Sequence, residues 1–121
     1  MRIFKDAWFC RFARREKIKD DVLKESVTRA EKGIIDADLG GGVIKQRIPR
    51  QGQGKSGGYR SIVIFRKGDV AFFVYGFAKS DRENIGPDEV ASFKKIAKGY
   101  LDLSAKQIEK MLRDETLKEV T

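Results

Sequence analysis

Four basic residues in the middle of the chain have the types and spacing expected of a phosphate-binding site. Lys45 and Arg47 alternate along one predicted strand, Arg60 begins the next, and Lys79 ends the strand after it. Residues 39–79 hold eight basic residues and one acid, so this segment carries +7 of the formal net charge of +8. Charge gathered on one such unit is typical of a protein that binds a polyanion, and the first hypothesis is nucleic acid.

The composition limits the chemistry that these residues can perform. The chain has no histidine and a single cysteine, Cys10. A Ser-His-Asp triad, a zinc finger and the usual general base near neutral pH are therefore excluded. Any catalysis must be carried by Lys, Arg, Tyr, Asp or Glu, and we expect neither a metal nor a cofactor. Cys10 is interpreted as a small core residue of a protein in a reducing cytoplasm.

The two segments of the sequence with the clearest strand pattern are predicted to position Arg60. Tyr59–Arg66 and Val70–Ala78 are apolar, and Gly68-Asp69 between them predicts a two-residue type II′ turn. The turn sets which residues are opposed across the hairpin: Arg60 and Phe77, Ile62 and Tyr75, Ile64 and Phe73, Gly58 and Lys79. Because side chains alternate along a strand, two cations and two aromatics then share one face at one end of the sheet.

Each of these side chains has a second interpretation. Tyr75 and Phe77 are candidate platforms for base stacking, or simply core aromatics. Arg60 is a candidate phosphate clamp, or the partner of a carboxylate such as Asp81. The Gly-rich loop 49–58 carries two cations that are predicted to position an RNA backbone, or to be solvated: Arg50 and Lys55.

The loop sequence Gly54-Lys55-Ser56 is not interpreted as a nucleotide-binding P-loop. Pro49 stands where that motif requires glycine, and a strand rather than a helix follows.

The rest of the chain predicts one α+β domain over residues 1–121. We expect an antiparallel sheet of about four strands, with two N-terminal helices packed on it and further C-terminal helices. Helix starts are predicted at Asp6, at Asp20 or Asp21, at Pro87 and at Ser104, and residues 117–120 form a short strand or a frayed end. No apolar run approaches the roughly 20 residues that span a bilayer, and the first residues are too charged for a signal peptide. A cytoplasmic protein without membrane contact is expected.

Three central motifs resemble those of RelE-type toxins of type II toxin–antitoxin systems, in the RelE/ParE superfamily and near its HigB-like branch. They are residues 38–47, 54–60 and 75–84, and the resemblance covers roughly residues 2–113. It implies a small sheet with two N-terminal helices, and cleavage of messenger RNA in the ribosomal decoding site. It also implies a cognate antitoxin, expected to be a small helix-turn-helix protein that binds the toxin in a hetero-oligomer and silences it.

The resemblance also assigns individual residues. Lys45 and Arg47 match basic residues of the strand before the Gly-rich loop, Arg60 matches the arginine after Gly-Tyr, and Lys79 matches a strand-ending lysine. Two positions depart from the best-studied relatives: Ser80 replaces an arginine, and Ile85-Gly86 replaces a tyrosine. The loop 48–57 is also longer than theirs.

These assignments give a hypothesis and two alternatives. Arg60 would clamp a phosphate, Lys45, Arg47 and Lys79 would share electrostatic and proton-transfer roles, and the loop cations would position RNA. The result would be a metal-independent endoribonuclease that inhibits translation. The alternatives are a ParE-like toxin that poisons DNA gyrase, and a basic RNA-binding module without catalysis.

Overall fold

The computed structural model describes the backbone of residues 1–50 and 54–121, and the side chains of residues 1–50 and 57–121. The described residues form six strands and four helices in the order β1 Arg2–Asp6, α1 Ala7–Glu16, α2 Asp20–Glu31, β2 Ala37–Gly40, β3 Val43–Arg50, β4 Gly54–Arg66, β5 Val70–Ala78, α3 Pro87–Leu101, α4 Ala105–Arg113 and β6 Leu117–Glu119. Within these described ranges, no helix is long and apolar enough to cross a membrane.

The α+β prediction is confirmed, but the sheet is larger than predicted. Its strands lie in the order β2-β3-β4-β5-β1-β6, and β1 runs parallel to β5 while the other neighbours are antiparallel. β2 is short and mixed in polarity, so hydrophobic alternation does not reveal it. It turns into β3 through Gly41 and Gly42, whose φ angles of 63° and 83° suit glycine in a tight hairpin turn.

At the end of the β4–β5 hairpin near Arg60 the opposed residues are those predicted, but the turn and the pairs next to it differ from the prediction. The predicted two-residue turn is wrong: Arg66 pairs with Val70 across a three-residue loop in which Gly68 has φ 75°. A β-bulge at Val74 then adds one residue to β5. Beyond the bulge the opposed pairs are those predicted, Arg60 with Phe77 and Ile62 with Tyr75, whereas before it Ile64 opposes Phe72 instead of Phe73.

Helices cover both faces of the sheet. α1 and α2 bury Phe9, Phe12 and Leu23 against one face, and α3 and α4 pack against Phe4, Ile62 and Phe72 on the other. Since side chains alternate along β3 and β4, Lys45, Arg47 and Arg60 lie on the same face as Ile62. The face covered by α3 therefore carries these three predicted cations.

Two helix starts follow local hydrogen bonds that the sequence had indicated, whereas the predicted cap of α2 at Asp20 or Asp21 is wrong, because Lys19 precedes that helix without a side-chain cap. The Asp6 carboxylate accepts a hydrogen bond from the Phe9 amide at 2.7 Å and caps α1. Ser104 and Gln107 exchange side-chain and backbone hydrogen bonds of 2.8 and 3.1 Å at the start of α4. These caps satisfy amides that a helix leaves without partners, which is why they can be recognised from short motifs.

The stability of the fold is expected to depend on the ionisation of Asp6. Burial raises the pKa of Asp6 from 3.8 to about 6, against the hydrogen bond from Phe9. Between about pH 4 and 6 the folded protein therefore keeps a proton on Asp6 that the unfolded chain has lost. The stabilisation that results is complete below about pH 4 and disappears as the pH rises through 6. We expect the free energy of unfolding of wild type, relative to Asp6→Asn, to fall by up to about 2 kcal/mol between pH 4 and 7.5.

Urea unfolding of both proteins across that pH range measures this difference. Asparagine is an equally good helix cap, so the comparison isolates the charge. A difference in unfolding free energy that does not change with pH would contradict the expectation.

Candidate functional site

Three of the predicted cations meet at one carboxylate. Nε of Arg47 lies 2.9 Å from Oδ1 of Asp36, while Nε of Arg60 and Nζ of Lys45 lie 3.5 and 3.6 Å from Oδ2. Arg47 directly opposes Arg60 across β3 and β4, and Lys45 is two residues away on the same face. We call these four residues the Asp36 cluster.

No pattern in the sequence indicates Asp36. It precedes β2, the strand that hydrophobic alternation does not reveal, so its approach to β3 was not predicted. Gln46 fixes the segment from the other face, because its side chain accepts a hydrogen bond from the Asp36 amide and donates to the carbonyls of Ser26 and Ile34. Among the described residues, the carboxylate paired with Arg60 is Asp36 and not Asp81.

The three cations of the cluster differ in their exposure to solvent. Arg60 is 3% exposed, and its Nη1 donates to the carbonyl of Tyr59 at 3.3 Å. Burial lowers the pKa of the Arg60 guanidinium, while the nearby Asp36 carboxylate opposes that effect. The Arg47 side chain is 48% exposed and the Lys45 side chain lies between the two. An anion entering from solvent therefore meets Arg47 first and Arg60 last.

The segment after β5 closes one side of the cluster. The Asn84 side-chain oxygen accepts hydrogen bonds from Nζ of Lys45 at 3.2 Å and from the Ile85 amide at 2.9 Å. Arg82 holds this segment in place by donating to the Asn84 carbonyl at 3.0 Å and to the carboxylate of Glu89 at 2.6 and 3.1 Å. The hydrogen bond with Glu89 raises the pKa of Arg82 further above its already high value. Arg82 thus links the segment after β5 to α3.

The two candidate stacking residues lie on the predicted face but differ in access. Phe77 is 5% exposed and lies beneath the Arg82 guanidinium, 5.5 Å from its ring centroid. Tyr75 is half-buried, with ring centroids of Trp8 and Phe93 at 4.5 and 5.7 Å. The burial corrects the interpretation of Phe77 as an open stacking surface and favours its alternative as a core residue.

The remaining predicted residues are not among the four of the Asp36 cluster. Lys79 is exposed at the end of β5, where its amide donates to the carbonyl of Gly58 at 3.1 Å, in the predicted opposition. The Arg50 guanidinium lies 5.4 Å from the ring centroid of Tyr59, which packs with α1 on the opposite face from Arg60. The side chain of Lys55 lies outside the described residues.

The cluster is suited to holding a phosphate. Two guanidinium groups and an ammonium converge on the Asp36 carboxylate, and groups of these kinds also form charge-assisted hydrogen bonds with phosphate oxygens. Within the described part of the chain, no group of three or more Cys, Asp or Glu side chains has the arrangement of a metal site.

Comparison with known proteins identifies one family. A family model described as the RelE toxin of the RelE / RelB toxin-antitoxin system matches residues 1–120, which include every strand and helix described above. No curated protein and no solved structure matches the chain. Toxins of this family are generally endoribonucleases that inhibit translation, and the family implies an antitoxin partner. The position near the HigB-like branch stays a prediction. The chain belongs to the RelE toxin family of toxin–antitoxin systems, as its three central motifs had indicated.

Proposed function

We propose that this toxin is a ribosome-dependent messenger RNA endonuclease, and that the Asp36 cluster binds the phosphate at which the message is cut. The observation that carries the proposal is the gathering of three cations, Lys45, Arg47 and Arg60, around the carboxylate of Asp36, at distances of 2.9 to 3.6 Å. Three cations and one carboxylate leave the cluster with a net charge of +2, which attracts a phosphate diester.

The reaction requires only groups that the RNA and the cluster supply. The 2′-hydroxyl oxygen attacks the neighbouring phosphorus, the bond from phosphorus to the 5′ oxygen breaks, and a 2′,3′-cyclic phosphate and a 5′-hydroxyl result. Negative charge grows on the phosphate oxygens in the transition state. Fixed guanidinium groups stabilise that charge without having to reorganise, which is the largest contribution that such a site makes.

Two members of the cluster are suited to the proton transfers. A carboxylate accepts protons and an ammonium donates them. Oδ2 of Asp36 and Nζ of Lys45 lie 3.6 Å apart, so one site holds both an acceptor for the 2′-hydroxyl proton and a donor for the 5′ oxygen. Asn84 accepts a hydrogen bond from Nζ and so orients the ammonium. We assign Asp36 as the proton acceptor and Lys45 as the donor.

The proposed partners of the reaction are the message and the ribosome. Arg60 is 3% exposed, so a message has to be held in one conformation for its phosphate to approach this residue, and the ribosomal decoding site would hold it so. Activity on free RNA is therefore expected to be weak. An antitoxin that covers the cluster or the surface around it would silence the toxin.

A translation reaction with a defined message tests the proposal. The 5′ ends are mapped by primer extension with and without ribosomes, and a message carrying a single 2′-deoxynucleotide at the mapped cut serves as the matched control. We expect ribosome-dependent cuts that disappear at the 2′-deoxy position. An intact message despite growth arrest would overturn the proposal and favour a gyrase poison or a non-catalytic RNA-binding module.

A further inference from the structure

A second basic cleft lies at the same end of the sheet as the Asp36 cluster, but on the opposite face. It has a volume of about 490 Å³ and lies between the α1–α2 connection and the end of β3. Among the residues whose side chains the structure describes, its charged lining consists of four cations and one acid: Arg15, Lys17, Lys19, Arg50 and Glu16. The Asp36 cluster uses none of them.

The cleft and the Asp36 cluster lie on opposite faces of β4. Tyr59 lines the cleft and packs with α1, whereas the next residue, Arg60, belongs to the Asp36 cluster. Consecutive residues of a strand point to opposite faces, so the two sites are separated only by the thickness of the sheet. An extended polyanion therefore needs to span little more than the thickness of the sheet to contact both sites.

Glu16, the acid that lines the cleft, is already engaged. The Tyr59 hydroxyl donates to Oε1 of Glu16 at 3.1 Å, and Nε of Arg15 lies 3.2 Å from Oε2. Burial and the hydrogen bond to Glu16 raise the pKa of Tyr59, so its hydroxyl stays protonated as a donor. Arg50 stacks over the Tyr59 ring at 5.4 Å and is held at the mouth of the cleft. The four cations of the cleft therefore exceed its one acid in number, and the carboxylate of that acid is already bonded to Tyr59 and Arg15.

Lys17 occupies a backbone conformation that favours a different residue. It ends α1 with φ 58° and ψ 40°, in the left-handed region. Its amide donates to the carbonyl of Arg14, and the Ile18 amide donates to that of Ala13 at 2.8 Å, which is the usual termination of a helix by glycine. A lysine in this conformation is less favourable than a glycine, as is Glu115 after α4, which has φ 62°. The Lys17 side chain lines the cleft.

We propose that this cleft binds the phosphate backbone of RNA, as a second contact beside the Asp36 cluster. The inference rests on the proposed function only for the nature of the ligand. The same backbone chemistry occurs in the message and in ribosomal RNA, and both sources can be tested separately.

Binding of a 2′-O-methyl RNA oligonucleotide tests the cleft without cleavage, because this RNA lacks the attacking hydroxyl. A second arm measures binding to ribosomal subunits washed free of message. The test variant combines Lys17→Gly with Lys19→Ala, and the charge-matched control combines Lys95→Ala with Lys98→Ala, both exposed on α3. Dissociation constants are measured over a series of salt concentrations in each arm.

The cleft variant is expected to bind RNA about tenfold more weakly at low salt. Its slope of log K against log salt should fall by about 1.4, or about 0.7 for each single-strand phosphate that the protein no longer neutralises. The α3 control should retain the wild-type slope. Lys17→Gly alone should show about half of this reduction in slope while its melting temperature stays equal to or above that of wild type, because glycine suits the left-handed conformation.

Each outcome of the two arms decides the inference. Weaker binding of the oligonucleotide supports contact with the message, and weaker binding of ribosomal subunits alone supports contact with ribosomal RNA. Unchanged binding in both arms, or an equal weakening in the α3 control, would overturn the inference. Because cleavage is not measured, a toxin that binds RNA without cutting it would disprove the proposed function and leave this test valid.

Discussion

Arg60→Ala is expected to reduce ribosome-dependent message cleavage by a factor of roughly 10²–10³, as for the loss of one preorganised donor to a transition-state anion. Arg60 is the most buried cation of the Asp36 cluster, at 3% exposure, so its charge acts on the phosphate with the least screening by water. Arg60→Lys should recover little of the activity, because an ammonium lacks the planar fork that grips two phosphate oxygens. Cleavage is measured by primer extension in the translation reaction described above.

Two controls accompany this experiment. Thermal unfolding of each variant separates lost chemistry from lost structure, since Arg60 is buried. Asp36→Asn removes the carboxylate and raises the net charge of the cluster, so it should bind a 2′-O-methyl RNA at least as tightly as wild type while cleaving the unmethylated RNA far more slowly. Full toxicity of Arg60→Ala on expression would show that the phosphate is held elsewhere.

Gly58→Ala is expected to destabilise the fold by about 3 kcal/mol, the upper end of the range for overpacking in a close-packed interior. A Cβ atom at this position would lie 2.3 Å from the carbonyl oxygen of Ile48 and 2.9 Å from the amide nitrogen of Arg50. Both neighbours are backbone atoms of β3, so neither can rotate away. The approach occurs where the register of β3 and β4 shifts between Ile48 and Arg50.

Urea unfolding compares Gly58→Ala with Gly99→Ala. Gly99 lies within α3, and a Cβ atom there would meet no other atom within 4 Å. The control should therefore gain stability by up to about 1 kcal/mol, the helix propensity difference between the two residues. Equal unfolding midpoints for wild type and Gly58→Ala would mean that β3 and β4 are more widely separated than the structure shows.

Local features of this fold were predictable, because neighbouring residues determine them. The helix caps at Asp6 and Ser104 depend on hydrogen bonds that span three residues. The opposition of Arg60 and Phe77 was predicted correctly through two errors that cancel. The turn loop contains one residue more than predicted, and the bulge at Val74 shifts the register back, a compensation that no local pattern reveals.

Features that depend on distant residues were not predictable. Asp36 approaches the cations where β2 pairs with β3, and β2 has only four residues, too few for its alternation of Ala37 and Leu39 to reveal a strand. Phe77 belongs to the buried cluster that α3 covers, with the Arg82 guanidinium over its ring, and the pattern of β5 alone allowed both an exposed and a buried ring. Arg50 was assigned to the Gly-rich loop 49–58, but β3 continues to Arg50 and β4 begins at Gly54, and the Arg50 guanidinium lies over Tyr59 on the face opposite Arg60.

The position of β1 in the sheet ties folding to the synthesis of residues 117–119. The first strand is inserted between β5 and β6, and Leu117 of β6, which is 2% exposed, pairs with Asp6. Contacts between such distant parts of a chain raise the contact order, which slows folding. The pairing of β6 with β1 cannot form until residues 117–119 have left the ribosome that synthesises them. The chain therefore reaches the complete six-stranded sheet only after these residues have been translated.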